Sequence, residues 1–540
     1  MPERIEVKPL TLDTLMADIK SGLLKIPRFQ REIVWELADS VALLDSIYRG
    51  FPIGSLVIWE TWEKLTDVRS IGDLSLPAPD HGQVPSYVLD GQQRLTSIFA
   101  CANEVNVVSK KRKTPVKYTA WFDLDNRRFI NAQPVNGVTF KQLIATNYDE
   151  YRDPISTFHK TVFSEARKQL LENYRFPVIV VRERNMEDAC TIFERINNSG
   201  KKLTVFDLLV AKAYPLQFDL REEWKKLDRG LRAFSGTNPV LPMQALSLHT
   251  MKLDSEKTAP GQGDKYGCHK RHLLALAGES IKGQWPDVKE CVKMAIDFLV
   301  NTVGIHTAKL IPYEAPIALL TLFFLLNNKF APSERQARQL KEYFWCSCLS
   351  ARYAGSPESS MEEDAIGIRA IHMGTFKDWA WKRSINAQDI LSARYDRRDA
   401  TVQTILCLLA ANNPISFKSN SRIPVANEFS KFNATELHHI FPRGWLKRMQ
   451  NSSWLEQEHS LANICLSPSR EQRHEIGSKP PGEYLKIFEK DNDNLLTALE
   501  THFMAGELVP LLENNEFPKF LSKRSALIAK SLNAAANIAS

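Results

Sequence analysis

The hydrophobic period changes character along this 540-residue chain, and that change limits what it can fold into. Before about residue 215, apolar runs of strand length alternate with stretches of helical spacing. From about Leu216 to about Asn412 the apolar stripes recur almost throughout with a helical period. One hydrophobic core does not grow to this size, so about three domains are expected. The fold class this implies is multidomain α+β, with a mixed first portion and a helical middle.

In the first portion, Val41, Leu44, Ile47 and Tyr48 share one face of a helix over 39–48, and Gly50 stands where a C-terminal cap belongs. Residues 55–59, 87–89 and 176–181 read as strands, the last rich in Val and Ile. Ala189, Ile192, Phe193 and Ile196 follow at helical spacing, broken by Asn197-Asn198-Ser199-Gly200. Thr204 then caps a further helix, with Asp207 completing a capping box. In the middle, 288–303, 314–326 and 334–349 carry helical stripes, and 253–267 has the composition of an exposed loop.

Composition excludes several classes. The longest apolar stretch, 316–326, falls short of the ~20 residues of a spanning helix and reads as a buried helix. Eight cysteines lack any Cys-x-x-Cys spacing, which argues against a zinc ribbon or a disulfide scaffold and for a reducing cytosol. The charged start, Met1-Pro2-Glu3-Arg4-Ile5-Glu6, has no apolar signal core, so a soluble cytoplasmic protein without a membrane partner is expected. A net charge of +7 permits a polyanionic partner without demanding one.

Two polar constellations carry chemistry. Near the C-terminus stands Glu436-Leu437-His438-His439-Ile440-Phe441-Pro442, then Asn463 on an apolar run read as a strand over 461–466, then Arg473 and His474. Phosphodiester hydrolysis needs a water deprotonated near neutral pH and a cation to offset charge on the phosphate. Neutral imidazole suits the first task. Adjacent residues on an extended segment face opposite sides, so one imidazole can face a metal and the other the water. Asn463 can hold the base through its amide or its backbone. Ser467-Pro468 reads as the start of a short helix bearing His474.

This order resembles the ββα-metal module of His-Asn-His (HNH) nucleases, in the form found in GmrSD-type restriction enzymes, down to the Pro-Pro-x-x-Tyr context at Pro480, Pro481 and Tyr484. The resemblance implies His439 as general base, His438 and His474 as metal ligands, and Asn463 as the catalytic residue that orients the base. Mg²⁺ or another divalent cation is the implied cofactor. Relatives place an Asn where this chain has Arg473 and His474, and Arg473 is assigned a DNA phosphate contact instead.

Upstream, Asp90-Gly91-Gln92-Gln93-Arg94 occupies a strand–turn–helix corner. A helix N-terminus presents free amides to a phosphate. Gly91 lets backbone approach, Arg94 can grip a phosphate with two donors, and Asp90 can bind a cation or cap the helix. The corner keeps company with Ile26-Pro27-Arg28-Phe29-Gln30-Arg31, with Gly50-Phe51-Pro52-Ile53-Gly54-Ser55 and with Phe193-Glu194-Arg195-Ile196-Asn197. That series resembles the ParB/sulfiredoxin-like N-terminal domain of the GmrSD, SspE and BrxU class of phage-defence proteins over most of residues 10–210. By that likeness Gln30, Arg31, Asp90, Gln92, Gln93, Arg94, Arg195 and Asn197 line a nucleoside triphosphate site. No P-loop motif is present, so nucleotide hydrolysis would be of another kind. Of the nearby aromatics Phe29, Trp35 and Trp59, any can stack on a base or sugar, though such residues more often pack in a core, and Trp59 on its apolar strand is assigned to core.

The expected organisation is therefore a nucleotide-binding, DNA-sensing domain over 1–215, a helical connecting region over 216–414, an HNH module over 415–490 and C-terminal helices over 491–540. The implied partners are double-stranded DNA carrying a modification, a nucleoside triphosphate and further copies of the chain. Two alternatives from other classes stand beside this: a DNA-binding regulator with a silent HNH fold, and an HNH nuclease toxin acting on RNA.

Overall fold

The structure, a computed structural model, describes residues 5–538 apart from 27–34, 63–82, 108–113, 146–156, 183–187, 189–191, 193–195, 197–203, 251–266, 395–398, 426–437 and 469–474. The described residues form a mixed α+β chain of two compact units: 1–220 with 277–279, and 221–276 with 280–540.

The first unit is organised by a five-stranded mixed sheet. Its strands are β1 (Ile5–Leu10), β2 (Leu24–Lys25), β3 (Leu56–Glu60), β4 (Ser86–Asp90) and a last strand, Phe176–Val181. The spatial order is β1, Phe176–Val181, β3, β4, β2. The late strand inserts between the two early ones, antiparallel to β1 and parallel to β3. Its Val178 and Val180 are fully enclosed, which explains the β-branched run: such side chains pack well on a pleated surface. β3 and β4 run antiparallel with a register shift between Val57 and Ile58. Trp59 is completely buried, as core.

Three helices complete this part of the core: α1 (Leu12–Lys20), α2 (Leu37–Tyr48) and α3 (Gln92–Asn103). In α2, Val41, Leu44 and Ile47 face inward at the expected spacing, and Gly50 adopts a left-handed φ of 73° just past its end. The helix Val205–Ala213 opens on the expected capping box of Thr204 and Asp207. Of the expected helix over 189–196 only Ile192 and Ile196 are described, both helical, and the basic cluster Lys110 to Lys113 lies outside the described residues.

The second unit is predominantly helical. Helix Ala315–Leu326 has no polar face, because it packs between Leu241–Thr250 and Pro357–Met373 and is buried all round. The expected stripes over 288–303 and 334–349 fall on Gly278–Phe298, continued by the π-turn Leu299–Val303, and on Glu334–Leu349. No described helix is long and apolar enough to cross a membrane. The seven described cysteines are all free and buried. The last long helix, Phe517–Ala535, packs on Ala387–Ser392, on Leu508–Glu513 and on a tight turn at Leu461–Asn463. That last contact matters for the site below.

Candidate active site

In the second unit, His438 and His439 form a two-residue strand paired antiparallel with Ile464–Cys465, His438 opposite Cys465 and His439 opposite Ile464. The apolar run 461–466 is not one strand, as its sequence suggests. Ser460 caps a 3-10 turn over Leu461–Asn463 by accepting from the Ala462 amide, and only Ile464–Cys465 is extended. Asn463 therefore sits at the end of a turn, with no exposed surface.

From there its side chain reaches backbone and not imidazole. Its Oδ1 accepts from the Phe441 amide at 2.9 Å, and its Nδ2 donates to the Phe441 carbonyl at 3.1 Å and the Glu458 carbonyl at 2.9 Å. Its own carbonyl accepts from the Ile440 amide at 2.8 Å. Enclosed and engaged in this way, Asn463 acts on the backbone next to His439. Tyr484, from the Pro-Pro-x-x-Tyr segment, adds a hydrogen bond from its hydroxyl to the Ile440 carbonyl at 2.9 Å. The two residues after His439 are held on both backbone groups, while Ile440 and Phe441 bury their side chains, Phe441 against Trp445, Phe517 and Phe520.

Arg524 locks the other strand. It is fully buried, pairs with no carboxylate among the described residues, and donates to the carbonyls of Ala462 (2.7 Å), Ile464 (2.8 Å) and His502 (2.9 Å). The first two flank Asn463. Burial pulls the Arg524 guanidinium down to about 10, still protonated at neutral pH. Burial likewise pushes the neighbouring His502 down to about 4, so it stays neutral, with Nε2 bonded to the Ile415 carbonyl at 2.8 Å.

His439, half-buried, keeps its ring toward a residue that the sequence did not single out. Its Nε2 lies 3.2 Å from Nδ1 of His459, the ring centroids 5.3 Å apart. His459 Nε2 lies 3.1 Å from Oε1 of Glu458, which Arg443 Nε also meets at 3.1 Å. The only signal for this group in the sequence is a Glu-His dipeptide shortly before Asn463. Of His438 the backbone alone is described, and Arg473 and His474 lie outside the described residues. Among the described residues no three His, Cys, Asp or Glu are grouped to hold a metal ion.

The upstream corner of the first unit is built differently. Asp90 ends β4, Gly91 takes a left-handed φ of 89°, and α3 starts at Gln92. Gly91 is required by packing as well as by φ: a Cβ there would stand 2.3 Å from Leu56 Cδ2. Arg94 turns back on the protein. Its Nη2 pairs with Asp90 Oδ2 at 3.0 Å and its Nη1 donates to the Ile53 carbonyl at 2.7 Å, with Gly54 leaving room for it. Two of the five guanidinium N–H donors are thus committed, and Asp90 is paired with a cation already present. Gln93 Oε1 accepts from the Trp35 amide at 3.3 Å, and Gln92 is buried. The structure brings Asp90, Gln92, Gln93 and Arg94 together; Gln30, Arg31, Arg195 and Asn197, like Phe29, lie outside the described residues.

Against this geometry, residues 12–214 match the model of the GmrSD restriction endonuclease N-terminal domain. The match lies wholly within the first unit and supports a GmrSD-type restriction family. Across nearly the full chain there is also similarity to MJ0686, an uncharacterized protein of Methanocaldococcus jannaschii. It is 22% identical, with 95% of this chain and 96% of that protein covered.

Proposed function

We propose that this chain is a DNA endonuclease of the restriction type, in which an HNH site in the second unit hydrolyses phosphodiesters under control of the first. The observation that carries this is the backbone lock around His439. Asn463, Tyr484 and Arg524 fix the strand pair that carries the part-buried His439, which is the pre-organisation a general base needs. The match over 12–214 supports the restriction setting and DNA as substrate.

In this reading His439 removes a proton from water, which attacks phosphorus in line with the departing sugar oxygen. A bound divalent cation supplies charge neutralisation at the phosphate. His438 and His474 would hold it. Imidazole donors suit Mn²⁺, Ni²⁺ or Zn²⁺ at least as well as Mg²⁺, which prefers oxygen. Arg473 would contact the DNA phosphate. In the first unit Gln30, Arg31, Asp90, Gln92, Gln93, Arg94, Arg195 and Asn197 would line a nucleoside triphosphate site coupled to sensing of modified DNA. With Arg94 and Asp90 paired to each other, the α3 amides and the glutamines would meet the phosphates first.

The test is cleavage of matched modified and unmodified phage DNA with each metal, with and without each nucleoside triphosphate. Wild-type protein is expected to cut, and His439→Ala to lose about 10²- to 10⁴-fold in rate, as removal of a general base does, with its circular dichroism unchanged. Cutting by His439→Ala at the wild-type rate would end this reading. Metal-independent DNA binding without cutting by wild type would favour the silent regulator.

A further inference from the structure

In the second unit, helix Ala400–Ala411 ends at Asn412, and Asn413 takes a left-handed φ of 53° as the chain enters a short hairpin. There Ile415 bridges Arg422 antiparallel, and the Ile423 amide donates to the Pro414 carbonyl at 2.9 Å. Gly304, at a φ of 91°, packs on the end of the same helix so closely that a Cβ would stand 3.0 Å from Ala411. Two residues on, His306 lines a cavity of about 240 Å³ together with the hairpin. Buried Ala410, Ile423 and Val425 give it apolar wall, and Arg422, His306 and Asn413 give it polar groups.

The positive charge in this cavity is unmatched. Arg422 Nη2 donates to Asn413 Oδ1, and the other four guanidinium N–H groups have no partner among the described residues. On the same hairpin Lys418 is neutralised by Glu475 at 2.6 Å, whereas Arg422 pairs with no described carboxylate. Burial, and after it the Arg422 guanidinium, hold His306 below the ordinary imidazole range, against the pull of the Asn413 side chain. A guanidinium with its fork of donors open suits phosphate oxygens. The cavity is smaller than the ~300 Å³ at which small-molecule sites begin, so a single phosphate group fits it better than a whole nucleoside triphosphate.

Hydrogen bonds tie this pocket to the strand pair that carries His439. The Ile415 carbonyl accepts from His502 Nε2 at 2.8 Å, and the His502 carbonyl accepts from Arg524, which also holds Ala462 and Ile464. A phosphate gripped by Arg422 is thereby held in a set place relative to the base, a relation that a free anion does not need. None of His439, His459 or Asn463 lines the cavity, so the phosphate it takes is not the one that is cut. We propose that Arg422, set beside His306 by Asn413, binds a phosphodiester of the DNA backbone away from the scissile bond and so fixes the register of the duplex on the nuclease site. This rests on the nuclease reading above and says where its substrate is gripped. Such a contact positions the duplex and reads no sequence.

The test follows binding of a short DNA duplex by fluorescence anisotropy in EDTA, without cleavage, as NaCl is raised. Wild type, Arg422→Gln and Arg422→Lys are compared, each checked by thermal melting. One phosphate contact contributes about 0.9 to the slope of log affinity against log salt, so Arg422→Gln should lower the slope by that amount and weaken binding about 3- to 10-fold. The loss should be equal on modified and unmodified duplexes, and Arg422→Lys, which keeps the charge, should keep the slope. In cleavage assays the Arg422→Gln loss should fall on KM and not on kcat. NMR of ¹⁵N-histidine-labelled protein, with His306→Gln for assignment, should show the His306 ring signals moving as duplex is added. An unchanged slope in Arg422→Gln, a loss confined to kcat, or His306 signals indifferent to saturating duplex would each overturn the proposal, even if wild type cuts DNA. Inorganic phosphate separates the sources: signals that move with phosphate but not with duplex mark a free-anion site and overturn it too. The expected slope change and signal shift in a wild type that cuts no DNA with any metal would refute only the nuclease reading.

Discussion

The two polar corners, Asp90 to Arg94 and His438 to Asn463, both close a strand with side chains that can do chemistry, but they use them in opposite ways. At the upstream corner the charged groups bind each other: Arg94 joins Asp90 to the Ile53 carbonyl, and Gly91 and Gly54 make room for that bond. At the downstream corner the buried polar groups bind backbone. Asn463, Tyr484 and Arg524 hold the residues around His439, which leaves the imidazole itself outside the lock. A corner whose ions pair internally gains rigidity, whereas one whose buried groups hold main chain can present a side chain to solvent in a fixed place.

Arg524 gives the sharpest way to break this contrast. Arg524→Met leaves three carbonyls without donors and should destabilise the second unit by about 3–5 kcal/mol. Denaturant unfolding followed by Trp fluorescence, together with loss of DNA cleavage, checks it; an unchanged midpoint would mean that the strand pair is held elsewhere. At the upstream corner Gly91→Ala meets both the left-handed φ and the Leu56 side chain, and about 2–4 kcal/mol is expected. Its effect should appear in the first transition to unfold if the two units melt separately by calorimetry.

His502 sharpens the comparison through pH. Its folded value, near 4, lies below the ordinary 6.5, so the unfolded chain binds the proton more readily. Stability is therefore full above about pH 6.5 and falls progressively to about pH 4, by on the order of 3 kcal/mol, then levels off for this group. His502→Phe should flatten that segment of a stability–pH profile, measured by chemical denaturation. The smallest effect is expected for Tyr484→Phe, which removes one hydrogen bond to Ile440. About 1–2 kcal/mol and a severalfold lower cleavage rate would follow, with DNA binding unchanged in a filter assay.

Local pattern made much of the scaffold legible. The 3.6 spacing of Val41, Leu44 and Ile47, the Thr204–Asp207 capping box and the unbroken apolar stretch now seen as Ala315–Leu326 all follow from rules acting within one or two turns. The run 461–466 was misleading because Ser460 and Asn463 divert an apolar segment into a turn through side-chain bonds that periodicity does not register. That two of the Arg94 donors are taken was not legible, because one of them goes to the Ile53 carbonyl, 41 residues away. His459 and Arg524 escaped notice for the same reason: each meets its partner only after the chain has folded back, across 20 and 62 residues respectively. Local chemistry marks candidates, and long-range closure decides what each candidate has left to offer.

One consequence concerns protein dissection. Leu461 donates to the Ala393 carbonyl, and the turn it begins rests on helix Phe517–Ala535, whose Arg524 grips two of that turn's neighbouring carbonyls. A fragment cut to residues 415–490 would carry every motif letter of the nuclease module and lose its braces on both flanks. The smallest portable version of this site must begin upstream of residue 387 and run to the end of that final helix, so swapping cutting modules between such proteins has to move the brace along with the blade.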